Sequence, residues 1–136
     1  MRKDFGAKTW LFPMPVLIVA AYDADGAPNA MNAAWGGVYT DDMVGICLSE
    51  NHKTTRNILK TGAFTVSPAT ADAIVECDYV GIVSGNKVPD KLSRAGLKMK
   101  KAQSVNAPII EQLPVALECE LVSYDEESCY MVGRIV

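Results

Sequence analysis

Hydrophobic and polar positions alternate in short blocks along this chain, not in long helical stretches. Val16 to Tyr22 is apolar and rich in β-branched residues, which predicts a strand. The segment before it, Trp10 to Val16, holds Pro13 and Pro15 and is expected to be extended, because a residue ahead of a proline is pushed out of the helical region. Asp25-Gly26 is a hairpin signal. A second strand is expected over roughly Asn29 to Tyr39, interrupted at Gly36 and Gly37 by a bulge or the close approach of another backbone. After a turn at Thr40, Asp41 and Asp42, Met43 to Leu48 predicts a third strand.

The pattern then changes. Lys53 to Lys60 predicts a short helix with Ile58 and Leu59 facing inward and Gly62 just past its end, where a left-handed residue closes a helix. Ala63 to Ser67 reads as a short strand closed by Pro68. Ala71 to Tyr79 reads as a second helix, with Thr70 as N-cap and Asp72 in the first turn. Val83 to Lys91 is loop, marked by Ser84, Gly85, Asn86 and Pro89, and Asp90 to Ala95 predicts one helical turn ended by Gly96.

The last third returns to a two-residue period. Val115, Leu117, Cys119 and Leu121 share one face and Glu118 and Glu120 the other, so Val115 to Tyr124 predicts a strand. Asp125 to Ser128 supplies a turn, and Tyr130 to Val136 the return strand of a hairpin. Strands, two short inserted helices and strands again define a mostly β (α+β) domain with an antiparallel barrel. The chain stops at Val136, inside the last predicted strand, so an unpaired edge is expected there.

The chain has 136 residues, which fits a single domain, and 49% hydrophobic against 21% charged residues, enough apolar material for a packed core. A net charge of −3, with no basic cluster, argues against a general nucleic-acid binder. The apolar run Val16 to Ala21 is far shorter than the ~20 residues that cross a bilayer, and it leads into turn chemistry at Asp23, Asp25 and Gly26. A cytoplasmic protein is expected. Cys47, Cys77, Cys119 and Cys129 are scattered without C-x-x-C spacing and are expected to act as small buried apolar residues. With His52 the one imidazole, no metal site is expected.

Three segments carry candidate chemistry. In Asn29 to Gly37 the small side chains of Ala30, Ala33 and Ala34 would let a flat heterocycle reach the backbone, while Asn29 and Asn32 offer amides to a pyrimidine-like edge; tight sheet packing is the competing reading. His52 to Asn57 opens a predicted helix, whose N-terminal N–H groups and dipole attract phosphate, with Lys53, Thr54 and Arg56 adding two cations and a hydroxyl. A solvated polar first turn competes with that reading. Ser84 to Lys87, followed by Asp90 and Lys91, is a loop able to close over a ligand, or a plain surface loop. Glu118 and Glu120 read as a solvent-facing pair, and Trp10 and Trp35 as packing anchors either of which can flank an aromatic ligand. No catalytic triad order, Walker loop or dinucleotide fingerprint is present.

Taken in order, Pro15-Val16, Gly26 to Ala30, Trp35 to Gly37, Lys53-Thr54, Asn57-Ile58, Gly62 to Val66, Ser84-Gly85, Asp90 to Leu92, Gly96-Leu97, Ala107-Pro108, Pro114, Leu117 to Cys119 and Val132 to Val136 resemble the flavin reductase-like (flavoredoxin-type) family of FMN-binding split barrels. The resemblance implies that residues 1–136 form one such FMN-binding domain. Family domains usually continue for several more strands, so C-terminal strands are expected to be missing. It further implies a homodimer with FMN near the interface. Met31, Asn32 and Ala33 would line the isoalloxazine, Ser49, Lys53, Thr54 and Asn57 would surround the phosphate and ribityl chain, and Ser84, Gly85 and Lys91 would contribute from the loop. The implied activity is electron transfer to a redox partner protein or reduction of free flavin, with NAD(P)H as a transient reductant. A split-barrel scaffold that binds FMN without redox turnover, and the related pyridoxamine-phosphate-oxidase-like branch, are the alternatives.

Overall fold

The computed structural model describes residues 1–136. Seven antiparallel strands form one sheet in the order β2-β1-β5-β8-β9-β4-β3: β1 (Leu17–Tyr22), β2 (Pro28–Ala33), β3 (Gly36–Thr40), β4 (Met43–Cys47), β5 (Ala63–Pro68), β8 (Leu117–Asp125) and β9 (Tyr130–Ile135). A separate two-stranded ladder joins β6 (Met99–Lys101) to β7 (Pro108–Ile110). Three helices are inserted: α1 (Lys53–Thr61), α2 (Ile74–Ile82), preceded by a 3-10 turn at Ala71–Ala73, and α3 (Lys91–Arg94). None is long and apolar enough to cross a membrane.

The continuous apolar run of β1 has a plain cause, since both of its faces are buried. Leu17, Val19 and Ala21 join Ile46, Phe64, Cys119 and Met131 inside the curl of the sheet. Ile18 and Ala20 face the other way, onto Cys77 and Val80 of α2 and Leu92 of α3. The inner core is packed to backbone contact: a methyl group at Gly133 would lie 2.3 Å from Phe64 Cζ.

The single strand expected over Asn29 to Tyr39 is two strands, β2 and β3, parted by a bend at Ala34 and Trp35. These consecutive strands lie at opposite edges of the sheet, so the sheet must curl until its edges nearly meet. The result is a split barrel. The close approach expected at the glycine pair occurs at Gly36, where an added Cβ would fall 2.9 Å from Leu17 Cδ1. The ladder irregularity comes later, between Val38 and Thr40.

Other expectations are corrected. The C-terminal strand is not an edge, because β9 pairs with β4 on one side and β8 on the other. Leu59 is exposed, and α1 instead buries Thr54, Thr55, Asn57 and Ile58. The second helix starts and ends three residues late, and the Thr70 side chain makes no capping hydrogen bond. Trp10 and Trp35 are exposed and anchor no core. Cys77 and Cys119 are buried as expected, whereas Cys47 and Cys129 are half-buried. The last hairpin begins at Leu117, leaving Val115 outside it and exposed. β6 and β7 had no counterpart in the sequence reading, because three-residue strands are too short to show a period. Gly62 does close α1, at φ 71°, with its N–H on the Ile58 carbonyl.

Candidate functional site

The start of α1, the middle of β2 and the end of α2 converge on a cavity of about 310 Å³. Its walls are Asn29 and Met31 of β2, Asn51 to Thr54 at the α1 N-terminus, Val80 to Gly85 and Lys91. The first helical bond of α1 runs from the Arg56 N–H to the His52 carbonyl at 3.2 Å, so the N–H groups of Lys53, Thr54 and Thr55 have no acceptor within the helix. No acidic residue occupies this first turn. The positive end of the helix therefore opens toward the cavity without an internal counter-charge.

A short chain of contacts fixes the polar side chains. Asn29 Nδ2 donates to Thr54 Oγ1 at 2.7 Å, a buried bond joining β2 to α1. The Lys53 ammonium sits 3.6 Å from Asp23 Oδ2. Asp23 in turn accepts the backbone N–H groups of Ala27 and Asp25 in the β1–β2 turn, which with Lys53 hold its carboxyl below the usual range. Gly85 packs against the Asn29 amide so closely that a Cβ there would lie 2.2 Å from Oδ1.

Lys91 is the most unusual group. It is 2% exposed, and its Nζ donates to the carbonyls of Val80 at 2.7 Å and Val83 at 2.9 Å, across the last turn of α2. A cation suits that end of the helix dipole. An ammonium has three donors, so these bonds leave one more at the cavity wall. Burial, and secondarily the charge of Lys53, lower its pKa to about 8.

Of the residues expected to hold a cofactor, Met31, Lys53, Thr54, Ser84, Gly85 and Lys91 line this cavity together. Asn32 faces the other way: its Nδ2 donates to the Cys77 carbonyl at 3.3 Å, and it lines a neighbouring groove of about 390 Å³ with Val16, Thr70 and Ile74. Ala33 packs in the inner core. Ser49 Oγ accepts the Asn51 N–H at 3.3 Å in the turn before α1. Asn57 is buried beneath α1, with its Nδ2 unpaired. Arg56 does not face the cavity; its guanidinium is bound to Glu50, Asn51 and Asn86. Asn51 and Val80 to Val83 are lining residues the sequence reading missed. The carbonyls of Val80 and Val83 become visible only once Lys91 is placed on them.

A curled antiparallel sheet with a polar cavity at a helix N-terminus defines a split-barrel domain with a candidate anion-binding site. The sequence matches the flavin reductase like domain over residues 9–136, and the chain belongs to that family. It resembles the flavoredoxin of Desulfovibrio vulgaris (Miyazaki F) at 34% identity and a TM-score of 0.94, covering 100% of this chain and 74% of that one. The FMN-binding domain of a flavin reductases-like enzyme from Shewanella baltica shares the fold at 20% identity and a TM-score of 0.84, over 90% of this chain and 66% of that one. An uncharacterized protein of Aeropyrum pernix is 26% identical over 119 residues, 85% of this chain. The chain spans 44% of that relative's length.

Proposed function

We propose that this protein binds FMN in the cavity between α1, β2 and α2 and works as an electron carrier or NAD(P)H-dependent flavin reductase. The observation that carries the reading is the meeting of a helix N-terminus and a buried, hydrogen-bonded lysine in one cavity. A buried cation and a helix N-terminus that share one cavity favour an anion between them. The cavity falls within the ~300–1,000 Å³ of ordinary ligand sites.

The residues fit a phosphorylated flavin. The backbone N–H groups of α1, the Thr54 and Ser84 hydroxyls and the spare Lys91 donor would hold the phosphate and sugar chain. Lys53, tethered by Asp23, would add a second positive charge. Met31 would supply an apolar contact to the ring. The flavin supplies the hydride or electron chemistry when bound, and the chain binds, orients and screens it. Membership of the flavin reductase like family supports the choice of flavin.

For the partner, we read a second copy of this chain on the β3 side of the sheet, where Trp35, Val38, Tyr39 and Tyr130 are exposed. The four cysteines are free thiols, which suits the reducing cytoplasm. A redox partner protein or free flavin would take the electrons.

The test is an absorbance spectrum of the purified protein without oxygen, before and after NADH or NADPH. Flavin bands that bleach on addition are the expected result. A bound flavin that neither nucleotide bleaches, and that exchanges electrons with no donor, would reduce the protein to an FMN-binding scaffold.

A further inference from the structure

Two loops rim the cavity, one ahead of α1 and one behind α2. The first contributes Asn51 and His52 to the lining, the second Ser84 and Gly85. One guanidinium ties the loops together behind that rim. Arg56 Nη1 donates to the carbonyls of Glu50 at 3.1 Å and Asn51 at 3.0 Å, and its Nη2 donates to Asn86 Oδ1. The Asn86 amide closes the ring by donating from Nδ2 to the Asn51 carbonyl at 3.3 Å, while its backbone N–H rests on Ser84 Oγ at 3.3 Å.

Arg56 is exposed and has no carboxylate partner, so it forms no ordinary surface ion pair. A cation in the first turn of a helix works against the dipole. What offsets that cost is geometric, because the rigid planar fork engages three oxygens of two loops in fixed directions, which a compact ammonium does not set. The clasp lies at the α1 N-terminus, the end of the cavity where the phosphate reading places the phosphate. On that reading, a group esterified to the phosphate would extend toward the Asn51 rim, where Asn86 is bonded to the Asn51 carbonyl.

We propose that the Arg56–Asn86 clasp is a specificity device, closing the phosphate end of the cavity so that it accepts a flavin mononucleotide and rejects a flavin dinucleotide. The inference rests on the FMN reading above. Arg56 and Asn86 touch no cofactor in this account and act by positioning the two loops. Riboflavin, which lacks the phosphate, would be indifferent to the clasp.

The test is calorimetric titration of the wild type, Arg56→Gln and Asn86→Ala with riboflavin, FMN and FAD, with a melting curve for each variant. In the wild type, FMN should bind at least about tenfold more tightly than FAD. Opening the clasp should narrow that ratio by about tenfold in both variants and leave riboflavin unchanged. Equal wild-type affinity for FMN and FAD would overturn the inference while sparing the cofactor assignment. So would an unchanged ratio in a variant that melts like the wild type; Asn86→Ala, on an exposed loop, supplies that comparison if Arg56→Gln does not fold. Failure of the wild type to take up FMN or FAD would overturn the cofactor assignment, and this inference with it.

Discussion

The two edge strands, β2 and β3, follow one another in the chain, yet they end in opposite surroundings. At one edge, β2 packs beneath α2. Ala30 is fully buried, Asn29 is bonded to Thr54 and Asn32 to the Cys77 carbonyl. At the other, β3 carries Val38 at 89% exposure, with Tyr39 and Trp35 also exposed beside it. The chain covers the first edge with its own helix and builds a cavity there. It leaves the second bare, and an apolar, unpaired strand edge is a surface that calls for a partner. On the function proposed above, cofactor binding and assembly would fall on different edges, so each should be open to disturbance alone.

The largest expected effect removes what the two edges share. Phe64 is fully buried at the centre of the curl, and Phe64→Ala should cost about 3–5 kcal/mol by chemical denaturation, with cofactor uptake and assembly lost together. If only one is lost, the edges are less coupled than a common core requires. Next, Lys53→Ala with Thr54→Ala should weaken FMN binding by about 1.5–3 kcal/mol, read by titration, without changing the oligomeric state. Unchanged affinity would put the phosphate elsewhere.

A third prediction concerns pH. The folded protein lowers the Lys91 pKa to about 8 from 10.5, so between those values the unfolded chain holds a proton that the folded chain does not. Lys91 therefore lowers stability fully below pH 8, and that penalty is relieved as pH rises from 8 to 10.5. A bound phosphate favours the charged ammonium and reverses the trend, so FMN affinity should fall as pH climbs through 8. Dissociation constants at neutral and alkaline pH, compared with apo-protein melting curves, separate the two slopes. The smallest effect on folding comes from the bare edge. Val38→Asp should change monomer stability by no more than about 0.5 kcal/mol while abolishing self-association in light scattering. An unchanged oligomer would mean that β3 is not the contact surface.

Much of the fold was legible where local chemistry decides it. Gly62 after the polar start of α1, Gly96 after α3 and Asp25-Gly26 between β1 and β2 each mark an end through backbone geometry, and each stands where expected. The alternation of Leu117, Glu118 and Cys119 likewise placed β8. What escaped depends on partners distant in sequence. Asn29 to Tyr39 carries no local sign that its two halves pair at opposite edges, since the curl is set by β5, β8 and β9. Leu59 is inward by residue type, but the sheet meets α1 on its Thr54, Asn57 and Ile58 face. Arg56 was readable as a cation at a helix N-terminus; the Glu50 and Asn51 carbonyls and the loop at Asn86, thirty residues away, hold it off the cavity. Lys53, Thr54, Ser84, Gly85 and Lys91 are candidates by residue chemistry as well as by resemblance, and the structure gathers them in one cavity. It does so through the Lys91 bonds to Val80 and Val83, which no periodicity encodes.

The most direct test of the central claim is a titration of the purified protein with FMN, followed by quenching of flavin fluorescence. Binding of one FMN per chain, saturating at micromolar concentration or below, is the predicted result. Flavin fluorescence that stays unquenched with protein in micromolar excess would contradict the account at its root.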